Sequence, residues 1–302
     1  MITVRIDGGF GNQMFQYAFF LHLKKTITDN KISVDLNCYN PHGSGDIFTR
    51  FKLAPEQAAP SEIKRFHRNS IYHLLRPLDS AGITTNPYYR EEDIDDLNSV
   101  LNKKRVYLRG YWQDKRYPFS VKDQIIDCFD LGKMDMTGAS AENNVILEQI
   151  ASEESRSVGV HLRGGDYIGD PVYSGICTPE YYEAAFKHVS EKIKDPVFHI
   201  FTNDISMIEK CGLSGKYDLK ITDINDEAHG WADLKLMSAC RHHIISNSSF
   251  SWWAAFLGEA TTETSADVIN VIPEYMRQGV SAETLRCPCW TTVTSDGRVY
   301  PS

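Results

Sequence analysis

The sequence predicts an α/β protein made of two domains, each with a parallel sheet covered by helices. Three observations lead there. Strand-like runs alternate with helical runs along the chain, and helices between strands imply parallel pairing. The alternation comes in two series, separated by a stretch rich in small and polar residues at 131–145, which includes Gly132, Gly138, Ala139, Ser140, Asn143 and Asn144. With 302 residues, the chain is also too long for one ordinary core.

In the first series, Ile2 to Ile6 reads as a strand, followed by a glycine loop and an apolar helix from about Asn12 to Ile27. Ile32 to Leu36 is the next strand, short helices fall around Ser61 to Leu75, Val106 to Arg109 is a strand and Val121 to Phe129 a helix. In the second series the expected strands are Val158 to Leu162, Val197 to Phe201, His243 to Ser246 and Val268 to Ile272. Between them stand helices from Thr178-Pro179-Glu180 to about Ile193, from Ala232 to Cys240 and from Phe250 to Leu257. Thr178 followed by Pro179 is a helix-start signal. The expected division is residues 1–140 and 141–302.

Composition narrows the function. Hydrophobic residues make up 42% and charged ones 24%, a globular balance, and the net charge of -8 argues against a broad nucleic-acid footprint. Two or three placed cations would still hold one nucleotide. The seven cysteines are scattered and odd in number, which suits a reducing cytoplasm. Cys287-Pro288-Cys289 lacks zinc spacing. Met14 to Leu23 is too short to span a bilayer, and no basic cluster precedes it as in a signal peptide.

In parallel α/β domains, ligands sit beyond the carboxyl ends of strands. Four loops qualify. Asp7-Gly8-Gly9-Phe10-Gly11-Asn12-Gln13 joins a strand to a helix, where glycines let a ligand approach the backbone and Asn12 can cap the helix. Met14 stands where a dinucleotide fingerprint needs its third glycine, and an ATP-binding lysine motif is missing, so a tight turn without ligand stays open. In His161-Leu162-Arg163-Gly164-Gly165-Asp166-Tyr167, alternation puts His161 and Arg163 on the same side of a strand end. Arginine binds phosphate through a planar fork that stays charged, and Asp166 could orient it. The competing reading is a structural ion pair.

Phe201-Thr202-Asn203-Asp204 ends a strand in polar residues, with Asp204 expected to cap the next helix. Ser246-Asn247-Ser248-Ser249-Phe250-Ser251-Trp252-Trp253 runs from a strand into a hydroxyl-rich helix start, a cradle for phosphate, with the tryptophans expected in the core. Asp93-Ile94-Asp95 has the metal-binding Asp-x-Asp pattern, but it lies in an acidic run that reads as a solvated face. Adjacent strand residues diverge, so His242 and His243 cannot share one ion.

These loops, in this order, resemble those of the bacterial galactoside α-1,2-fucosyltransferases of glycosyltransferase family 11. The resemblance rests on Gly8 to Ala18, His161 to Tyr167, Phe201 to Asp204, and Asp233 to Ser238 through Ser246 to Trp253; Tyr39 to Asn102 shows nothing that matches. It implies a GT-B type fold, two Rossmann-like domains facing a central cleft, with an acceptor-side N-terminal domain and a C-terminal donor domain. The activity it implies is inverting transfer of L-fucose from GDP-β-L-fucose, a substrate, to the 2-hydroxyl of a β-galactoside in glycan or O-antigen synthesis, with no cofactor and no metal.

On the same resemblance Arg163 binds the β-phosphate, His161 and Asp233 contact the guanosine end, and Asn247, Ser248, Ser249 and Phe250 form the diphosphate loop. Gly9, Gly11 and Asn12 close over the diphosphate or fucose. Gly164 stands where the family usually has a second arginine, with Arg109 or Arg5 as substitutes. Charge builds on the diphosphate, so fixed donors there lower the barrier most. Asp170 is the first candidate base for the acceptor hydroxyl and Asp166 the second. The expected location is the cytoplasm, with peripheral inner-membrane association compatible and no integral membrane segment. Two alternatives are fucosyl transfer in another linkage, such as α-1,6 to N-acetylglucosamine, and a GDP- or sugar-binding module without catalysis. Tyr39, Phe48, Tyr72, Tyr88 and Tyr89 are the candidate aromatics for the acceptor.

Overall fold

Runs such as Ile2-Thr3-Val4-Arg5 and Ser157-Val158-Gly159-Val160-His161-Leu162 are buried on both faces. Near-continuous burial of this kind is the mark of a parallel strand with helices on either side. The computed structural model describes residues 1–37, 46–67, 88–164, 169–260 and 267–301. Among these, the chain divides into two compact units at Cys128/Phe129. The 131–145 stretch lies within the second unit. Phe129 packs edge-on against Trp253 at 5.5 Å between ring centroids, and Met134 is buried.

The first unit holds a parallel sheet of four strands in the order β2-β1-β4-β3, where β1 is Ile2–Arg5, β2 Ile32–Asp35, β3 Tyr88–Arg90 and β4 Val106–Arg109. Helix α1 (Phe10–Thr26) follows β1 and is apolar around most of its circumference, burying Phe15, Phe19, Phe20 and Leu23. A helix hydrophobic on all sides is a core helix. Helix Pro60–His67 falls in the Ser61 to Leu75 stretch where short helices are expected, and residues 68–75 lie outside the described residues.

The second unit holds seven strands in the order β13-β12-β9-β8-β5-β6-β7. They are β5 (Ser157–Leu162), β6 (Val197–Thr202), β7 (Asp218–Thr222), β8 (His242–Ile244), β9 (Asn270–Pro273), β12 (Thr291–Val293) and β13 (Val299–Tyr300), all parallel except the edge strand β13. A separate antiparallel ribbon pairs β10 (Tyr275–Arg277) with β11 (Val280–Ser281). The helices used below are α2 (Glu142–Glu153), α3 (Pro179–Ser190), α4 (Trp231–Ala239) and α5 (Ser249–Ala260). Sequence reading missed β3, β7, β10, β11, β12 and β13. β7 alternates weakly because, as an edge strand, most of its residues are at least partly exposed.

Thr178 caps α3 by accepting from the Tyr181 amide, as the Thr-Pro signal predicts. His242 and His243 diverge. His243 bonds Asn270 Oδ1 and the Met237 carbonyl, while His242 bonds the Ser155 carbonyl and accepts from the Ile269 amide.

Candidate active site

β5 and β8 are parallel neighbours, with Val160 opposite Ile244, so the loops leaving their carboxyl ends leave side by side. Two groups far apart in sequence meet there. His161 Nδ1 and Ser246 Oγ are 2.8 Å apart and hydrogen-bonded. Arg163 follows directly after β5 and is half-buried, while Ser248 and Ser249 head α5 just beyond β8. A guanidinium and a helix amino terminus are thus carried by adjacent strand ends, and both attract anions.

His161 is buried, its ring 6.0 Å from that of Phe250. Burial first, and then the charge of Arg163, pushes its pKa down to about 3. The ring is neutral near pH 7, so it acts through hydrogen bonding rather than as a cation. Two consecutive tyrosines of α3 brace the strand ends. Tyr182 donates to the His161 carbonyl at 2.9 Å and also bonds the Arg163 backbone, and Tyr181 donates to the Ile245 carbonyl. Burial raises both hydroxyls well above the ordinary tyrosine value, so they stay protonated donors. Tyr181 and Tyr182 escaped the sequence reading, which placed Ser246 in a candidate loop without its His161 partner. Adjacent tyrosines in the first turn of a capped helix were the available signal.

Asn247 is buried and spends its Nδ2 hydrogens on the carbonyls of Tyr173 and Met276, both at 3.2 Å. That fixes the loop between β8 and α5. The Ser248 carbonyl accepts from the Trp252 amide, and Trp252 and Trp253 are fully buried, the core role expected of them. Asp170 Oδ1 accepts from the amides of Val172 and Tyr173, at 2.7 and 3.2 Å, forming a local turn. Asp166, with Gly165 and Tyr167, lies outside the described residues.

Gly164 has a specific environment. Its amide donates to Asn203 Oδ1 at 3.0 Å, and a β-carbon added to it would lie 2.7 Å from Asp204 Cβ and 2.9 Å from Met207 Cγ. Real β-carbons do not come so close, so a side chain here would force Asp204 and Met207 to shift. Asp204 accepts from the amide and hydroxyl of Ser206 in the first turn of helix Ser206–Lys210, whose N-cap residue is Ile205 rather than the expected Asp204.

Asp233, in the first turn of α4, belongs to a separate group. Asn225 donates to its Oδ1 at 2.7 Å and exchanges two hydrogen bonds with Asn143. Burial raises the Asp233 carboxyl to about 7, the push being only partly offset by Asn225.

The corresponding rim of the first unit centres on the loop after β1. Gly9, not Asn12, is the N-cap residue of α1, so Asn12 sits inside the first turn and accepts from Gln113 Nε2 at 2.7 Å through its side chain. Gly8 has φ +83°, a backbone state suited to glycine. Two buried glutamines hold the loop: Gln13 donates to the Gly8 carbonyl, while Gln16 accepts from the Asp7 amide and donates to the Gly110 carbonyl. Gly11 is buried within α1. Arg5 is engaged by Asp7 at 2.5 Å. The acidic run Glu91–Asp93 forms one 3-10 turn, with Asp93 and Asp95 exposed. Of the candidate aromatics, Phe48 packs on Tyr17, Tyr88 stacks on Tyr107, Tyr89 accepts from Lys103, and Tyr39 and Tyr72 lie outside the described residues.

The Glycosyl transferase family 11 model matches residues 53–290, most of the chain. The protein therefore belongs to glycosyltransferase family 11. It is 27% identical to an α-1,2-colitosyltransferase of Escherichia coli over 85% of this chain and 87% of that one. It is 22% identical to a galactoside α-(1,2)-fucosyltransferase 1 of Leontocebus fuscicollis over 97% of this chain and 75% of that one. Among solved structures, the fucosyltransferase NodZ from Bradyrhizobium is 14% identical, with a TM-score of 0.47, covering 84% of this chain and 90% of that chain. Two parallel-sheet α/β units in one chain are the composition expected of a GT-B type transferase. None of the described helices is long and apolar enough to cross a membrane.

Proposed function

We propose that this protein transfers L-fucose from GDP-β-L-fucose to the 2-hydroxyl of a β-galactoside, with inversion and without a metal. One observation carries the donor half: at the carboxyl edge of the second sheet, the His161–Ser246 hydrogen bond ties the loop of Arg163 to the loop that opens α5. Family membership makes a nucleotide sugar the anion to place there, and the α-1,2 linkage in the names of two relatives supports the acceptor position.

On this reading Arg163 neutralises the diphosphate as the fucosyl bond breaks, and Ser248 and Ser249 at the head of α5 hold its oxygens. His161, neutral and fixed by Ser246, sets the strand end and faces the nucleoside side. Asp233, when ionised, accepts from the amide edge of guanine. Gly9 and Asn12, the latter held by Gln113, are the substrate contacts proposed for the first unit. The attacking hydroxyl gives its proton to a carboxylate, with Asp170 the first candidate and Asp166 the second. Fixed donors aimed at the departing diphosphate contribute most of the rate.

Calorimetric titration with GDP, followed by GDP-fucose incubation with β-galactosides and NMR of the product linkage, tests this. Wild type binds GDP, makes an α-1,2 product and is unaffected by EDTA. Arg163→Ala loses about a hundredfold to a thousandfold in kcat. No GDP binding would remove the donor assignment, and strict metal dependence would return attention to Asp93 and Asp95. The colitosyl relative favours a second reading, in which GDP-colitose is the better donor, and the same assay run with both donors separates the two.

A further inference from the structure

We infer that Asn225 and Asn143 are the positioning pair of the base site: they hold Asp233 as an acceptor, so that the second unit takes a guanine nucleoside diphosphate and rejects its adenine counterpart. The inference rests on the reading of Asp233 proposed above. α4 lies against β5, since a β-carbon on Gly159 would fall 3.1 Å from Met237 Cγ and 3.3 Å from Cys240 Cβ. β7 and β8 are parallel, so the helix that connects them runs against the strands. With its carboxyl-terminal end beside Gly159, near the start of β5, its first turn lies toward the strand end that carries His161 and Arg163. Asp233 is therefore on the same edge of the second sheet as the proposed diphosphate contacts.

Three side chains from separate segments meet there. Asn143 stands buried in the first turn of α2, Asn225 lies in the loop after β7, and Asp233 is in the first turn of α4. Asn225 Nδ2 gives one hydrogen to Asp233 Oδ1 at 2.7 Å and the other to Asn143 Oδ1 at 2.9 Å. Asn143 Nδ2 gives its two to Asn225 Oδ1 at 3.0 Å and to the Ser140 carbonyl at 2.9 Å. All four amide hydrogens have acceptors, and this fixes the direction of the network. Turning either amide over would set oxygen against oxygen, at Asp233 for Asn225 and at Ser140 for Asn143. Asp233 Oδ1 therefore receives an N–H, the arrangement that favours the ionised carboxylate.

A carboxylate held in this way has acceptor oxygens and no hydrogen to give. Guanine matches it, with N1–H and the 2-amino group pointing the same way. Adenine presents a bare N1 along that edge, and lone pair against lone pair leaves both partners unsatisfied away from water. Asn225 also opposes the surroundings of the carboxyl. Burial raises Asp233 most, Asn225 lowers it, and Asp223 on the same loop adds to the rise. The elements around Asp233 also carry the Asp226–His229 pair, Glu142 at the head of α2 and Arg163 after β5. Removing Asn225 takes away the hydrogen bond that favours the charged form, so Asp233 then titrates at higher pH.

The test has two arms on the full chain. NMR of the Asp233 carboxyl carbon in the ligand-free protein follows its titration, and calorimetry with GDP and ADP follows binding from about pH 6 to about pH 9. In Asn225→Ala the Asp233 midpoint should rise by about one pH unit, and GDP affinity at about pH 7 should fall roughly tenfold and recover as pH rises. Asn143→Ala should move both in the same direction by less. ADP should bind wild type roughly a hundredfold more weakly than GDP and change less than about twofold in either variant. Damage to the fold would weaken both nucleotides at every pH. An unmoved midpoint in Asn225→Ala, equal losses for GDP and ADP, or a moved midpoint with unchanged GDP affinity would overturn the proposal. A midpoint that moves as expected while wild type binds no GDP at any pH would overturn the donor reading and leave the hold on Asp233 standing.

Discussion

His161 stands two residues from a cation in sequence and hydrogen-bonds a serine 85 residues away. The second relationship governs its chemistry, because a buried ring beside Arg163 stays neutral and can only orient. Asp233 is the opposite case, a carboxyl that burial lifts to about 7, into the range where it titrates. Guanine N1–H and its amino group need an acceptor, so only the ionised form binds well on the proposed reading. GDP affinity should therefore rise roughly fivefold to tenfold between about pH 6 and about pH 8, following the ionised fraction. Calorimetric titrations across that window check it, and Asp233→Asn should flatten the profile. A wild-type profile already flat would detach Asp233 from the base.

The segment from the end of β5 to the helix after β6 explains a departure that sequence could register but not interpret. The resemblance led to the expectation of a second arginine where Gly164 stands, and sequence alone left open whether a charge had simply been lost. Asp204 and Met207 fill the space a side chain would need, so the replacement is built into the packing. Gly164→Arg should not restore a second phosphate ligand. We expect about 1–3 kcal/mol of destabilisation from overpacking, read by denaturant unfolding, with no gain in GDP affinity. Tighter GDP binding by that variant would refute this account. The capping by Thr178 and the core tryptophans of α5 were legible, because capping and apolar runs are local signals. The Tyr181–Tyr182 brace was not, because a hydroxyl's partner is set by which strands pair.

For the whole molecule, the proposed diphosphate and base contacts all belong to the second sheet, while the glycine loop belongs to the first. Hydrogen exchange with GDP should accordingly show its largest protection at 161–164 and 245–252. Protection confined to 7–16 would reverse the assignment of the donor to the second unit. Local opening sets exchange at such loops, so the measurement reports ligand contact directly.

The sequence by itself determined that this is an α/β chain with two series of strands and helices, and it singled out four loops after strand ends as candidates for chemistry. Periodicity, caps and glycine clusters are properties of neighbouring residues, so they survive in one dimension. Only the tertiary structure decided that His161 answers to Ser246, that a side chain at Gly164 would displace Asp204 and Met207, and that Asn143 and Asn225 meet at Asp233. Each of these depends on which elements lie side by side. Parallel pairing brings together residues separated by whole helices, and no local pattern records it.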